Sequence, residues 1–213
     1  MQDASGSGRR LVLVRHGESA WNALGIVQGQ ASAPGLTDRG RRQASTLARQ
    51  LQGRPVAALF SSDLTRARQT AEIIAEGVGT VVVLDDRVRE RDFGVFEGGP
   101  STELTAAVTG VDGDRVVDAD ARPAGGESVR DLYDRVAWFV DSVDGGTDGD
   151  VVVVCHGGAI RVATAYLEGI TADAMGWPAV DNMQVATFEM ASRGEQRERV
   201  DVRPVAHRQG GHR

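Results

Sequence analysis

Apolar and polar positions along the chain follow two different periods, and the switches between them mark out the elements. Leu11-Val12-Leu13-Val14 and Val151-Val152-Val153-Val154 are unbroken apolar runs of strand length, which predicts strands covered on both faces. Ala57-Ala58-Leu59-Phe60 predicts a second short strand, Val81-Val82-Val83-Leu84 a third, buried one, and Gln184 to Met190 a last one. Between these runs the period lengthens to that of a helix. Ala44, Leu47, Ala48 and Leu51 share one face of a helix opened by Leu36-Thr37-Asp38-Arg39, with Thr37 as N-cap. Ser61-Ser62-Asp63 predicts the cap of a helix running to about Glu76. Ser128 opens another, with Val129, Leu132, Tyr133, Val136 and Val140 on one face, and a further helix follows His156 to near Glu168. This alternation predicts an α/β fold, a three-layer α/β/α sandwich with a mostly parallel central sheet.

Residues 99–122 interrupt the alternation. They are rich in Gly, Ala, Thr and Asp and hold no aromatic residue, which predicts a small inserted cap over the sheet edge. Residues 1–8 read as a flexible leader and 204–213 as a flexible polar tail, so that 1–213 forms a single domain. A chain of 213 residues buries a full core without metal or disulfide support. Its net charge of -6 and pI near 5.3 give no general attraction to nucleic acid or to an anionic membrane. Any specificity for anions therefore rests on a few placed arginines. No window is long and apolar enough for a membrane span, and a single cysteine forms no internal disulfide. The opening residues lack a secretory signal, so the expected compartment is the cytoplasm. Gly6 and Gly8 precede the first strand, which excludes a dinucleotide fingerprint there. The sequence is compatible with a homodimer.

The first and fourth strands end alike, on Arg15-His16-Gly17 and on Cys155-His156-Gly157-Gly158. If the two strands are neighbours in a parallel sheet, both imidazoles emerge at the carboxyl edge, where open α/β sheets build their sites. Arg15 and His16 would then stand at the mouth of a helix, and Arg66 enters from the first turn of another. With His156 these groups surround a phosphate, and the arginine fork suits phosphoryl oxygens better than an ammonium does. A histidine whose proton is held on one nitrogen is a competent nucleophile toward phosphorus, while the arginines neutralise the equatorial oxygens. The departing alkoxide needs a proton. Glu90 is the best-placed carboxyl to give it, although Asp85, Asp86 and Asp92 share its charged run and the residues alone do not separate them.

Neither histidine belongs to a His-x-x-x-His pair, and the flanking arginines would repel a divalent cation, so no metal and no cofactor are expected. Cys155 should turn into the core, opposite in direction to His156. Trp21 is close enough in sequence to His16 to line the pocket, whereas Trp138 and Trp177 read as packing residues. Glu18 and Glu127 read as helix-start residues.

Five blocks occur in order: Arg15-His16-Gly17-Glu18-Ser19 with Asn22, Gln28-Gly29 and Leu36-Thr37; Ser62-Asp63-Leu64 with Arg66-Ala67 and Gln69-Thr70-Ala71; Glu90 with Phe93-Gly94 and Glu97-Gly98; Gly125-Gly126-Glu127-Ser128; and His156-Gly157-Gly158. Together they resemble the histidine phosphatase superfamily, also called phosphoglycerate mutase-like, in its phosphatase branch. The resemblance implies that His16 is the phosphorylated nucleophile, that Arg15, Arg66 and His156 clamp the phosphate, and that Glu90 is the proton donor. It makes Asn22 and Gln28 auxiliary phosphate contacts. The first loop departs from the family pattern, with Ile26 and Ser32 where many relatives carry an arginine and an aspartate.

The implied function is a metal-independent phosphomonoesterase that hydrolyses a small phosphorylated metabolite through a phosphohistidine. The alternatives are a phosphoglycerate mutase and a catalytically silent phosphate-binding relative. Residues 99–122 offer only Arg115 and Arg122 against Glu103, Asp112, Asp114, Asp118 and Asp120, a balance that would repel the bisphosphate a mutase must hold.

Overall fold

The computed structural model describes residues 9–143 and 149–190. The expected leader at 1–8 and tail at 204–213 lie outside them. A five-stranded sheet runs in the order β3-β2-β6-β1-β7, formed by β1 (Arg10–Arg15), β2 (Val56–Ser61), β3 (Val82–Leu84), β6 (Asp150–Cys155) and β7 (Val185–Glu189). The first four strands in that order are mutually parallel, and β7 is antiparallel to β1.

Successive side chains of a strand point to opposite faces, and the core divides accordingly. Leu11, Leu13, Val151 and Val153 pack with Phe139 of α5 (Val129–Ser142) and Ile160 of α6 (Gly157–Leu167). Val12, Val14, Val152 and Val154 pack on the other face with Leu47 of α2 (Asp38–Leu51) and Ile74 of α3 (Thr65–Val78). The three layers expected from the sequence are therefore present. The central strand β6 is buried at every position, as its continuous apolar run requires.

Thr37 caps α2 by accepting the Gly40 N–H, and Ser128 forms a reciprocal capping box with Asp131. Two local expectations are corrected. The Val81–Leu84 run is not buried: Val81, Val83 and Leu84 are 76%, 47% and 49% exposed, because β3 is an edge strand paired only to β2. Nor does Ser61-Ser62-Asp63 cap α3, whose N-cap is Leu64 without a side-chain bond, since those polar groups are used elsewhere.

Residues 99–122 hold a short helix α4 (Ala106–Thr109) and the hairpin of β4 (Val111–Asp112) with β5 (Arg115–Val116). The hairpin meets the segment after α6 through Val116 N–H to Met175 carbonyl, at 3.3 Å. The first loop, where Ile26 departs from the family pattern, runs as a ribbon against residues 98–101: Val27 donates to Gly99 carbonyl at 2.9 Å and Gly98 to Val27 carbonyl at 2.9 Å. Among the described residues no helix is long and apolar enough to cross a membrane.

Candidate active site

The pairing of β1 with β6 brings the two histidine phrases together. Arg15 stands opposite Cys155, His16 N–H donates to Cys155 carbonyl at 3.0 Å, and the imidazole centroids lie 5.1 Å apart. Both rings are buried. One expectation of position fails: no helix opens directly after His16. The five-residue α1 (Ala20–Leu24) starts four residues later, so the anion field there comes from side chains.

His16 Nδ1 lies 2.7 Å from the Gly17 carbonyl oxygen. A carbonyl only accepts, so Nδ1 carries the proton and the Nε2 lone pair is free. Burial, then the charges of Arg66 and Arg15, hold this imidazole well below the usual histidine range and keep it neutral. His156 is lowered in the same direction, by burial first and then by Arg66 and His16. Its Nε2 lies 2.9 Å from Ser62 Oγ, which also accepts the Leu64 N–H at 3.3 Å. The arrangement that uses every proton has the Ser62 hydroxyl donating to Nε2, which puts the ring's single N–H proton on Nδ1.

That Nδ1 is buried and meets no partner among the described residues. The same holds for Arg15 Nε and Arg66 Nε, whose charges both act on the two imidazoles. Buried donors are normally satisfied, so three idle ones around one histidine ask for a ligand rich in acceptors. Both guanidiniums are braced by backbone: Arg66 donates to Ala31 and Gly29 carbonyls at 2.9 and 2.7 Å, and Arg15 to Val180 carbonyl. Burial lowers Arg66 to about 10, so at neutral pH it remains a cation.

Asn22 and Gln28 join the same network through their oxygens. Ser19 Oγ donates to Gln28 Oε1 at 2.7 Å, and Asn22 Oδ1 accepts from Ser19 N–H and from Asn182 Nδ2, each at 3.2 Å. Their amide nitrogens are the ends left for an anion. Asn182, which the sequence reading missed, also donates to His16 carbonyl at 3.0 Å. It precedes Met183, whose φ of 61° is unusual for a side chain of that size. The Met183 N–H donates to Arg15 carbonyl at 3.1 Å, a bond that offsets part of the strain.

Glu90 reaches the site from a loop. Both its oxygens accept the Gly158 N–H, at 3.1 and 3.2 Å, and Oε1 accepts the Arg91 N–H at 2.8 Å. A Cβ on Gly158 would stand 2.1 Å from Glu90 Oε1, which is why glycine follows Gly157 here. Two of the three competing carboxylates are committed elsewhere, Asp85 to Arg87 and Asp92 through Oδ1 to the Gly94 N–H at 2.7 Å, while Asp86 is exposed. Glu127 is not merely a helix-start residue. It takes a two-point ion pair from Arg135, 2.8 Å on each oxygen, and accepts the Asp92 N–H.

Arg135 also donates to the carbonyls of Arg87, Arg89 and Glu90 at 2.7 to 2.9 Å. No periodic signal marked it, because it sits on the partly covered side of α5 like any solvated arginine. Cys155 turns into the core as expected, and burial pushes its thiol up to about 12, far from a reactive thiolate. Trp21 packs beside Gly98, while Trp138 and Trp177 stack against Arg87 and Arg161.

A neutral histidine lone pair faced by idle cationic donors, with a carboxyl alongside, is the arrangement of a phosphoryl-transfer site. Residues 11–202 match the family model described as histidine phosphatase superfamily (branch 1). The chain is 38% identical over 188 residues to glucosyl-3-phosphoglycerate phosphatase of Mycolicibacterium vanbaalenii, covering 84% of this chain and 82% of that one. It is 36% identical over 174 residues to a probable phosphoglycerate mutase GpmB of Yersinia pestis, covering 78% and 77%. Among solved structures, Bacillus stearothermophilus YhfR superposes with a TM-score of 0.81 at 28% identity, over 93% of this chain and 98% of that one. A mycobacterial glucosyl-3-phosphoglycerate phosphatase in complex with VO3 superposes at 0.75 with 33% identity, over 93% and 100%. The chain belongs to the histidine phosphatase superfamily.

Proposed function

We propose that the chain hydrolyses a small phosphomonoester in two steps through a phosphohistidine at His16, without a metal ion. In the first step the Nε2 lone pair attacks phosphorus and the ester P–O bond breaks. Its electron pair goes to the leaving oxygen, which takes the proton of Glu90. In the second, the Glu90 carboxylate removes a proton from water, the water oxygen attacks phosphorus, and the P–N electron pair returns to His16. Arg15, Arg66 and His156 hold the non-bridging oxygens throughout, with Asn22 and Gln28 as auxiliary donors.

The observation that carries this reading is the set of three buried, unpartnered donors, Arg15 Nε, Arg66 Nε and His156 Nδ1, around a neutral His16. A silent relative would have no reason to keep the full donor set together with Glu90. The 36% identity to a probable phosphoglycerate mutase favours a second reading, in which the phosphoryl group is passed to another hydroxyl of the substrate. Against it stands the charge balance of residues 99–122, where Arg115 and Arg122 face Glu103, Asp112, Asp114, Asp118 and Asp120 and Arg122 is already paired to Asp131.

Phosphate release from an aryl phosphate, measured with chelator and with vanadate, tests the proposal. Turnover should persist in excess EDTA and be blocked by vanadate, because the charge stabilisation comes from side chains. Loss of activity in EDTA that returns with added metal would sink the metal-free mechanism. Efficient interconversion of phosphoglycerates without phosphate release would favour the mutase.

A further inference from the structure

Glu97 follows the acid's segment and has no task in the two-step reaction. The 3₁₀ turn Gly94–Phe96 folds it back over that segment, where Oε1 accepts the Phe93 N–H at 3.1 Å. The same oxygen accepts the Gln30 N–H at 2.6 Å, from 67 residues away in the chain. A residue that only closed the turn would need the Phe93 bond alone. With both bonds, one carboxyl oxygen joins the segment that carries Glu90 to the first loop.

The bond to Gln30 reaches the phosphate clamp through a single peptide group. No described peptide is cis, so the Gly29 carbonyl and the Gln30 N–H point in opposite directions. Arg66 Nη2 donates to that carbonyl at 2.7 Å while Glu97 accepts from that amide. A guanidinium and a carboxyl thus grip the two ends of one planar unit, and Arg66 feels the Glu97 charge. Gly29 is what lets the carboxyl come so close: its φ is 45°, and a Cβ there would stand 1.8 Å from Glu97 Oε1. The position is not an easy one for a carboxyl. Burial pushes Glu97 up from the ordinary carboxylate range against the pull of its two amides, and the Asp92 carboxyl beside it adds to the rise.

We infer that Glu97 is a positioning residue for phosphoryl transfer. Through the Gly29–Gln30 peptide it fixes how Arg66 meets the phosphate, and through Phe93 it holds that clamp in register with Glu90. The inference rests on the two-step phosphatase reading, in which Arg66 and Glu90 act on one phosphoryl group from two sides. What Glu97 supplies is an acceptor oxygen at a fixed reach, and neither a charge nor a proton.

The test reads three substitutions in the full chain twice over. Inhibition by vanadate reports the clamp, and the ratio of kcat/KM for an alkyl phosphate to that for an activated aryl phosphate reports the acid. Glu97→Gln keeps the acceptor at the same reach without the charge, Glu97→Asp keeps the charge one methylene short, and Glu97→Leu removes both. Glu97→Asp and Glu97→Leu should each weaken vanadate inhibition about 10-fold and lower the alkyl-to-aryl ratio about 10-fold, while Glu97→Gln should hold both readouts within about threefold of the natural chain. Should Glu97→Leu fail to fold, the other two decide. Damage from Glu97→Gln equal to that from Glu97→Asp would overturn the inference, as would a loss on one readout only. Earlier thermal midpoints with both readouts unchanged would reduce Glu97 to a structural role and overturn it equally. Absence of any aryl phosphate hydrolysis by the natural chain would instead bring down the phosphatase reading.

Discussion

The two sides of the site are built by opposite means. On the phosphate side, His16 and His156 end adjacent parallel strands, and their spacing follows from sheet register. On the leaving-group side, Glu90 lies on the segment between β3 and α4, and side-chain bonds to its backbone give that segment its shape. Arg135 grips three of its carbonyls, Glu127 holds the Asp92 amide, and Gly158 receives the carboxyl itself. Arg91 adds a further brace: it is fully buried and donates to carbonyls of Thr109, Ala121 and Glu127, tying the acid's loop to residues 99–122. Secondary structure positions His16, the proposed nucleophile, while a lattice of arginine-to-carbonyl bonds positions Glu90, the proposed acid. The first should survive single substitutions nearby, and the second should not.

The largest difference is expected from the acid itself. Glu90→Gln should slow hydrolysis of an alkyl phosphate by about 10²- to 10⁴-fold, and that of an activated aryl phosphate far less, since its phenolate leaves unaided. The comparison assumes that phosphoryl transfer to His16 limits the rate. If breakdown of the phosphoenzyme limits instead, both substrates should slow together and labelled His16 should accumulate. An unchanged alkyl rate would remove Glu90 from the mechanism.

Arg135→Met sharpens the contrast one step out. It removes no group that touches substrate but frees the carbonyls of Arg87, Arg89 and Glu90 and takes the ion-pair partner from Glu127. The alkyl rate should drop by about 10- to 100-fold with the aryl rate less affected, the leaving-group signature of a misplaced acid. Equal losses on both substrates would mean that Arg135 supports the whole site. Stability should fall by about 1–3 kcal/mol, read from denaturant midpoints, because buried polar groups lose their partners.

A third effect is a pH dependence of stability confined to the phosphate side. Burial and the two arginines lower His16 and His156 in the folded state, so below about 6.5 the unfolded chain binds protons that the folded chain refuses. Their contribution is fully present above that pH and is lost progressively as pH falls toward the lowered folded values. Each histidine contributes at most about 1.4 kcal/mol per pH unit in that window. Thermal midpoints between pH 7 and 5 should show the loss, and His16→Gln should flatten the slope. An unaltered slope in that variant would contradict the neutral, buried imidazole.

The contrast also explains what the sequence disclosed. Strands and helices were legible wherever burial imposes a period, as at Leu11–Val14, Val151–Val154 and the α5 face, and the misjudged burials were an edge strand whose apolar run has no cover and Trp138, which is exposed against Arg87. Arg15, His16, Arg66 and His156 were legible because they sit at fixed offsets from strand ends and a helix start. Glu90 could be singled out only through the family resemblance, since the run around it holds several carboxylates and nothing local says which are already paired. Asn182 and Arg135 escaped notice for a related reason. Their partners lie 166 and 45 residues away in the chain, and no spacing rule reaches across such distances.

The central claim is that His16 carries the phosphoryl group, and the direct measurement is a rapid-quench trap with a labelled phosphomonoester. The natural chain should yield a protein-bound label that is acid-labile and stable to alkali, as a phosphoramidate must be, and His16→Ala should yield none while keeping its fold. A label that is stable in acid, or one that persists in His16→Ala, would contradict the account and point to another nucleophile.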